Sequence, residues 1–369
     1  MKRRIIFAIV IILLVVWVAS RWSVWFGKHP EPQYALSESV CGVQLTVGQN
    51  PLSERIVSWR SRPDSTLFAD SAVTLYWISN VDTIRPVIYK KWIKSGGGEA
   101  IYYWTKIQVA AGDYTYAIST PDTITPYYTT RISDADSLEF LILGDVQDKY
   151  HNPSTDSAVQ SIVQNYNPDF ILQLGDLIHR PHQDKWDIYF NSFSPLRTSV
   201  PIISILGNHD YHKGFNKYPD ERFFYTFPYF LDSLNTAPKI GCSYLNFGAT
   251  QLYILDSNQP IWDQFQQRVW LIEKLKNADK YAKRIVALHH PLRSARGKFN
   301  NLIVRWMYES VVEKYNIDLV VAGHEHTNYI TSKTEVCGYE QIITNFSFKS
   351  YTDAKGEEGR KVITLHVPN

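Results

Sequence analysis

Ile202-Ile203-Ser204-Ile205-Leu206-Gly207-Asn208-His209-Asp210 decides how the rest of the chain is read. An apolar run that halts at a glycine and opens onto Asn, His and Asp describes a central strand with polar side chains beyond its C-terminal end. In open α/β sheets, chemistry gathers at the carboxyl ends of the strands. The same arrangement recurs in Leu141-Ile142-Leu143-Gly144-Asp145 and in Ile171-Leu172-Gln173-Leu174-Gly175-Asp176. It recurs again in Ile285-Val286-Ala287-Leu288-His289-His290 and Leu319-Val320-Val321-Ala322-Gly323-His324-Glu325-His326. Five strands that each deliver Asp, Asn or His to one end outweigh any single motif.

The 369 residues suit one or two domains with a sizeable core. A formal net charge of +2 gives bulk electrostatics no hold on nucleic acid, so no nucleic-acid partner is expected. Aromatic residues make up 14% of the chain, rich in Tyr and Trp, which suits an all-β region. Cys41, Cys242 and Cys337 lack metal-type spacing. A Cys242–Cys337 disulfide and three unpaired thiols both remain open.

Lys2, Arg3 and Arg4 precede the apolar run Ile5 to Ala19, the pattern of an export segment. At about 1.5 Å per residue that run is short of a ~30 Å hydrocarbon core. It lengthens through Trp22, Val24, Trp25 and Phe26 if Arg21 snorkels and the tryptophans sit at the interface. Residues 1–27 are therefore expected as a membrane anchor, with a cleaved signal peptide at Val18-Ala19-Ser20 as the alternative. Either reading exports the remainder. The first leaves it anchored outside the cytoplasmic membrane, the second secreted or periplasmic.

Residues 28–35, with Pro30 and Pro32, read as a linker. Residues 36–132 contain short alternating segments, among them Val43–Val47, Arg55–Trp59, Val73–Trp77, Ile88–Trp92, Tyr102–Val109 and Tyr114–Ile118. Short strands at regular spacing predict a small β-sandwich. Residues 138–369 alternate strands with helical stretches, including Ala158–Tyr166, Phe265–Leu275 and Val304–Tyr315, and predict an α/β layered domain.

Two divalent metals need a bridging carboxylate and several terminal ligands. Asp145, Asp176, Asn208, His289, His324 and His326 form such a set, with Asp176 as the expected bridge. Mixed carboxylate, amide and imidazole donors suit Mn, Fe or Zn better than Ca or Mg. In an extended segment, His324 and His326 would point to one side and serve different metals. His209 then remains as general acid or charge stabiliser, with Asp210 orienting its ring. Arg293, Arg296 and Lys298 are candidate contacts for a substrate phosphate.

Taken together, Gly144-Asp145, Gly175-Asp176, Gly207-Asn208-His209-Asp210, His289-His290-Pro291 and Gly323-His324-Glu325-His326 resemble the signature of calcineurin-like metallophosphoesterases, over roughly residues 138–367. The β-rich segment before them, with Val57-Ser58-Trp59 and Ala111-Gly112-Asp113-Tyr114-Thr115-Tyr116, is similar to the N-terminal domain of purple acid phosphatases. The resemblance implies a four-layer β-sandwich flanked by helices, preceded by a small fibronectin-III-like sandwich. It also implies a centre of two divalent or trivalent ions, with Asp145, Asp176 and His326 on one and Asp176, Asn208, His289 and His324 on the other. A hydroxide held between them would attack phosphorus. Two positions depart from the pattern. Gln147 stands where the family has His, and His179 where the purple phosphatases have Tyr; each is a possible additional ligand. The expected activity is hydrolysis of phosphomonoesters. Phosphodiester hydrolysis of nucleotides or lipid headgroups, and a non-catalytic metal-binding role in the cell envelope, are the alternatives. The expected substrate is a phosphorylated small molecule or lipid.

Overall fold

The computed structural model describes residues 2–27, 29–214, 217–233, 241–279, 282–297, 300–332, 338–351, 355–357 and 359–368. Cys337 and Lys298 lie outside them, so the proposed disulfide and the third basic contact do too.

Helix α1 (Lys2–Phe26) opens the chain. Its apolar stretch, Arg4–Trp22, has a mean hydropathy of 2.6 and is long and apolar enough to cross a membrane. A signal sequence would satisfy the same criterion.

The strands β1 (Cys41–Val47), β2 (Glu54–Ser61), β3 (Thr74–Ile78), β4 (Thr83–Ile84), β5 (Ile88–Lys94), β6 (Glu99–Gln108), β7 (Gly112–Ser119) and β8 (Tyr128–Ile132) follow. They make two four-stranded sheets, β1-β2-β6-β5 and β4-β3-β7-β8, with antiparallel pairings throughout. Side chains alternate across a strand, so every second residue faces inward. In β3 these are Leu75 and Trp77, which meet Leu45, Val57, Trp59, Tyr103, Tyr116 and Ile118 between the sheets. Strand β8 escaped the sequence reading because Tyr-Thr-Thr-Arg-Ile carries little apolar signal. Only its contacts bury Thr130 and Ile132.

Strands β9 (Ser137–Leu143), β10 (Phe170–Gln173) and β11 (Ile202–Ser204) run parallel, connected through helices α3 (Pro153–Asn165) and α4 (Gln183–Ser192). Strand β20 (Ile363–Pro368) closes this sheet antiparallel to β9. A second sheet holds β14 (Ser243–Phe247), β15 (Thr250–Ile254), β16 (Lys283–Ala287), β17 (Leu319–Ala322), β18 (Tyr329–Thr331) and β19 (Glu340–Ile343), in the order β14-β15-β16-β17-β19-β18. Helices α8 (Ile261–Lys276) and α9 (Leu302–Lys314) cross between its parallel strands. The short elements α2 (Ser65–Phe68), α5 (Ser194–Arg197), α6 (Glu221–Thr226), α7 (Tyr229–Ser233), β12 (Tyr211–His212) and β13 (Tyr218–Pro219) lie in the connections.

Strict alternation in the second sheet defines the layers. Ile285, Ala287, Leu319 and Val321 face the first sheet, packed with Ile142, Leu172 and Ile203. Val286, Leu288 and Val320 face the other way, onto Trp270 and Leu271 of α8 and Met307, Tyr308 and Val311 of α9. Strands buried on both faces read as continuous apolar runs, which is why these five were legible. The architecture is thus the expected α/β sandwich of two sheets flanked by helices.

The N-terminal sheets pack directly behind strand β11. Val47 and Ile56 join the hydrophobic cluster built around that strand's sheet. Thr46 Oγ1 donates to the Ile202 carbonyl at 2.6 Å, and Ser58 Oγ to that of Thr226 at 2.7 Å.

The stretch expected as a linker is not a spacer. Glu31 Oε1 takes the backbone N–H of Gln183 at 2.6 Å and Arg222 Nη1 at 2.5 Å. Tyr34 N donates to the Gly97 carbonyl at 2.8 Å. A carboxylate able to pair with a buried guanidinium overrides the two prolines that suggested a free tether.

Candidate metal centre

The two inner sheets bring the C-terminal ends of β9, β10, β11, β16 and β17 to one edge. Four residues there have φ in the left-handed region: Asp145 (51°), Asp176 (54°), His324 (71°) and His326 (49°). The other non-glycine residues of this kind among those described are Ser71, Asn301 and Asn316. L-residues adopt this conformation at a cost, and such strain collects at functional sites. It also overturns the expectation of an extended His324–His326 segment. The two histidines part because each stands on its own tight bend.

Gly207 is required by close approach. A Cβ there would overlap the backbone nitrogen and Oδ1 of Asp176. The glycine thereby lets the β10 and β11 loops touch.

Asp145, Asp176 and His289 offer ligand atoms that all lie within 4.8 Å of one another. All three are buried. Asn208 adjoins them, its Oδ1 lying 3.2 Å from His289 Nε2 and 2.9 Å from His324 Nδ1. His326 Nε2 stands 3.9 Å from Asp145 Oδ1. The six residues thus form one connected set, with His326 on the Asp145 side and His324 on the Asn208 side.

His289 Nδ1 faces the Leu174 carbonyl at 2.8 Å, which turns Nε2 toward Asp176 and Asn208. His326 Nδ1 is paired with Ser347 Oγ at 2.9 Å, turning its Nε2 toward Asp145. Such outer partners set the tautomer and aim the free nitrogen. Ser347 and the Leu174 carbonyl were invisible to motif reading, because neither lies in a signature block.

Gln147 enters the site. Its Nε2 donates to Asp176 Oδ2 at 3.2 Å, and its buried Oε1 has no hydrogen-bond partner among the described residues. His179 lies at the rim, its ring centroid 5.2 Å from that of His209.

The expected role of Asp210 needs correction. Its carboxylate does not touch the His209 ring. It accepts the backbone N–H groups of Gly207 (2.8 Å), Asp176 (2.9 Å), Leu177 (3.0 Å) and Ile178 (3.3 Å). The His209 ring is held instead by the carbonyl of His179, 2.8 Å from Nδ1. Four converging N–H donors outcompete one imidazole for an acceptor-only group.

Arg293 is also corrected. Its Nε lies 2.7 Å from Glu309 Oε1, which draws it toward helix α9. Arg296 stays close, its guanidinium 4.0 Å from the Tyr351 ring, which in turn lies 5.5 Å from that of His326. Glu325 points away, accepting the Ala295 N–H at 2.7 Å.

The electrostatics fit a cation. Burial pushes the Asp145 carboxyl up to about 8, with Asp176 adding to the rise. For Asp176, burial opposes ionisation, but the neighbouring His289 and His209 outweigh it and hold its pKa low. Burial works against a charged His289, yet Asp176 and Asp145 raise it to about 9. Burial lowers His324 to about 3 and His326 to about 4, so both present neutral nitrogens. Neither Asp145 oxygen has a hydrogen-bond partner of good geometry among the described residues. A buried carboxylate without partners calls for a metal or a proton. The donor set of two carboxylates, an amide and three imidazoles suits a divalent transition ion.

The sequence profile of the calcineurin-like phosphoesterases matches residues 138–328, more than half of the chain. The chain belongs to the calcineurin-like phosphoesterase family. It is a metallophosphoesterase with a buried Asp145–Asp176–His289 group able to bind metal. A solved structure of PhoD superposes with a TM-score of 0.60 over 91% of this chain and 86% of that one, at 10% identity. The two share a fold. GAP50 of Plasmodium, described as the anchor in the inner membrane complex, aligns at 14% identity with a TM-score of 0.42, over 64% of this chain and 79% of that one. The phosphopantetheinyl hydrolase PptH of Mycobacterium tuberculosis aligns at 13% identity with a TM-score of 0.37, over 57% and 90% respectively.

Proposed function

We propose that the chain is a two-metal phosphomonoesterase, exported and held in the cytoplasmic membrane by helix α1, with residues 138–369 as its catalytic domain and residues 36–132 as a supporting sandwich. The observation that carries this is the carboxylate of Asp145, fully buried beside Asp176, His289 and His326 and without a hydrogen bond of good geometry among the described residues. Asp145, Asp176 and His326 would hold one ion, and Asp176, Asn208, His289 and His324 the other, with Gln147 as a further oxygen donor on the first. His179 is at the rim, where it supports His209 through its carbonyl. Bound Mn, Fe or Zn ions supply positive charge for the phosphoryl oxygens and acidify water near neutral pH.

The chain's own groups do the rest. The His209 backbone N–H donates to Asp176 Oδ1 at 2.7 Å, which locks the general acid to the central carboxylate. With Nδ1 engaged by the His179 carbonyl, His209 Nε2 is the atom left to protonate the departing ester oxygen. Asp210 ties the β10 and β11 loops together, so Asp176 and Asn208 keep their spacing. Arg296, stacked on Tyr351, would meet an anionic substrate group at the His326 side.

The test is elemental analysis of the purified protein, joined to kcat/KM on one phosphomonoester and one phosphodiester. Two transition ions per chain and preference for the monoester agree with the proposal. A preference for the diester would shift the substrate class. One ion or none, with no turnover, would end the reading.

A further inference from the structure

The residues that leave helix α1 are bonded to the rim of the site. His182 Nε2 meets the His29 carbonyl at 3.1 Å. Glu31 takes the Gln183 N–H and Arg222, and Arg222 in turn reaches Asp220 at 2.9 Å and the Pro181 carbonyl at 2.8 Å. The Glu31 and Arg222 side chains are 7% and 2% exposed, so this pair is built into the protein and is not a surface contact. The loop they grip, residues 179–183, carries His179, whose carbonyl holds His209.

Helix α1 ends at Phe26, three residues before His29. Three residues span at most about 11 Å. Wherever the end of α1 sits, the rim of the site lies close to it.

The rim is basic although the chain as a whole is near neutral. Arg180 and Lys213 act electrostatically on His29, and Arg180, Lys185 and Lys149 act on His179. Lys217 neighbours Lys213. Asp184, paired with Lys185 at 2.7 Å, offsets one of these charges. The exposed ring of Tyr150 lies among them, 5.1 Å from Lys149 Nζ and 5.5 Å from Lys185 Nζ. Exposed Tyr218, next to Lys217, adds a second ring. Lysines and arginines with interleaved tyrosines suit an anionic lipid surface.

We infer that the substrate is a phosphate ester borne by a lipid of the membrane that holds α1, taken at the bilayer surface by a site strapped there through residues 29–34. This rests on the phosphoesterase reading above and on α1 remaining uncleaved.

The experiment uses full-length protein supplied with Mn2+ and reconstituted into phosphatidylcholine vesicles. Phosphatidic acid and phosphatidylglycerol in the bilayer provide a lipid monoester and diester. The dihexanoyl form of each provides the same ester in solution. A variant carries a rigid helical insert of about 20 residues after Gly27, which lifts the site about 30 Å from the surface. One of the bilayer lipids should be hydrolysed at least tenfold faster than its soluble counterpart at equal bulk concentration. The insert should abolish that preference and leave soluble turnover unchanged, which also reports an intact fold. Equal turnover of soluble and bilayer forms, or an insert without effect, would overturn the inference, as would a mature N-terminus beginning after Ala19. No turnover of any of the four esters would sink the phosphoesterase reading itself.

Discussion

Replacing Asp210 by Asn tests whether this side chain fastens the site or orients its acid. In the native protein Oδ2 accepts the Gly207 and Asp176 N–H groups, and Oδ1 accepts those of Leu177 and Ile178. Asn has one acceptor oxygen, so whichever way the amide turns, an NH2 faces two backbone donors. The residue is fully buried, and no water is expected to relieve the conflict. Leaving a buried donor unsatisfied costs about 1–3 kcal/mol, so two cost roughly 4 kcal/mol. That is a large part of the ~5–15 kcal/mol by which proteins are stable. At about 2–4 °C per kcal/mol in a domain of this size, Tm should fall by about 10 °C. Differential scanning fluorimetry of wild type and Asp210→Asn, each with EDTA and with Mn2+, measures it. Because the loops carrying Asp176 and Asn208 are released together, the stabilisation by Mn2+ should shrink as well. A variant whose Tm stays within 2 °C of wild type, with lower turnover alone, would refute the loop-fastening role. It would return Asp210 to His209.

His209→Ala should reduce turnover at least a hundredfold while Tm and metal content stay near native, checked by kinetics beside elemental analysis. Arg296→Ala should raise KM for an anionic monoester several-fold, whereas Arg293→Ala, whose partner is Glu309, should leave KM unchanged and lower stability by about 1 kcal/mol or less. Gly207→Ala forces a methyl onto Asp176, so soluble yield and Tm should both fall; a native-like Tm would show that the loops can part at little cost. Chelation by EDTA should lower the wild-type Tm, since a ligand at 100 times its Kd stabilises by about 2.7 kcal/mol. In Asp145→Asn that drop should be smaller, and an equal drop would place the ions elsewhere.

Much of the catalytic half is local in origin and could be read directly. A strand buried on both faces must be apolar along its length, and a turn that leaves it for a reactive edge requires Gly and polar residues. Hence Leu141 to Asp145, Ile171 to Asp176 and Ile202 to Asp210 declare both the sheet and the edge where chemistry sits. The alternating Leu75 and Trp77 announce the N-terminal sandwich in the same way.

What the residues around each motif could not declare was partnership at long range. Asp210 beside His209 suggests an imidazole partner, but the fold presents it with N–H groups more than thirty residues distant, and the nearer-matched donors win. Arg293 follows a ligand block closely, yet helix α9 carries Glu309 to it. Two prolines made residues 28–35 read as tether, while Arg222, 191 positions from Glu31, turns them into a strap. The left-handed bends at Asp145, Asp176, His324 and His326 belong to the same category. Pattern records which side chains a segment offers. Only the packed sheets decide which charge or donor lies within hydrogen-bonding reach, because that energy depends on distances the linear order does not contain.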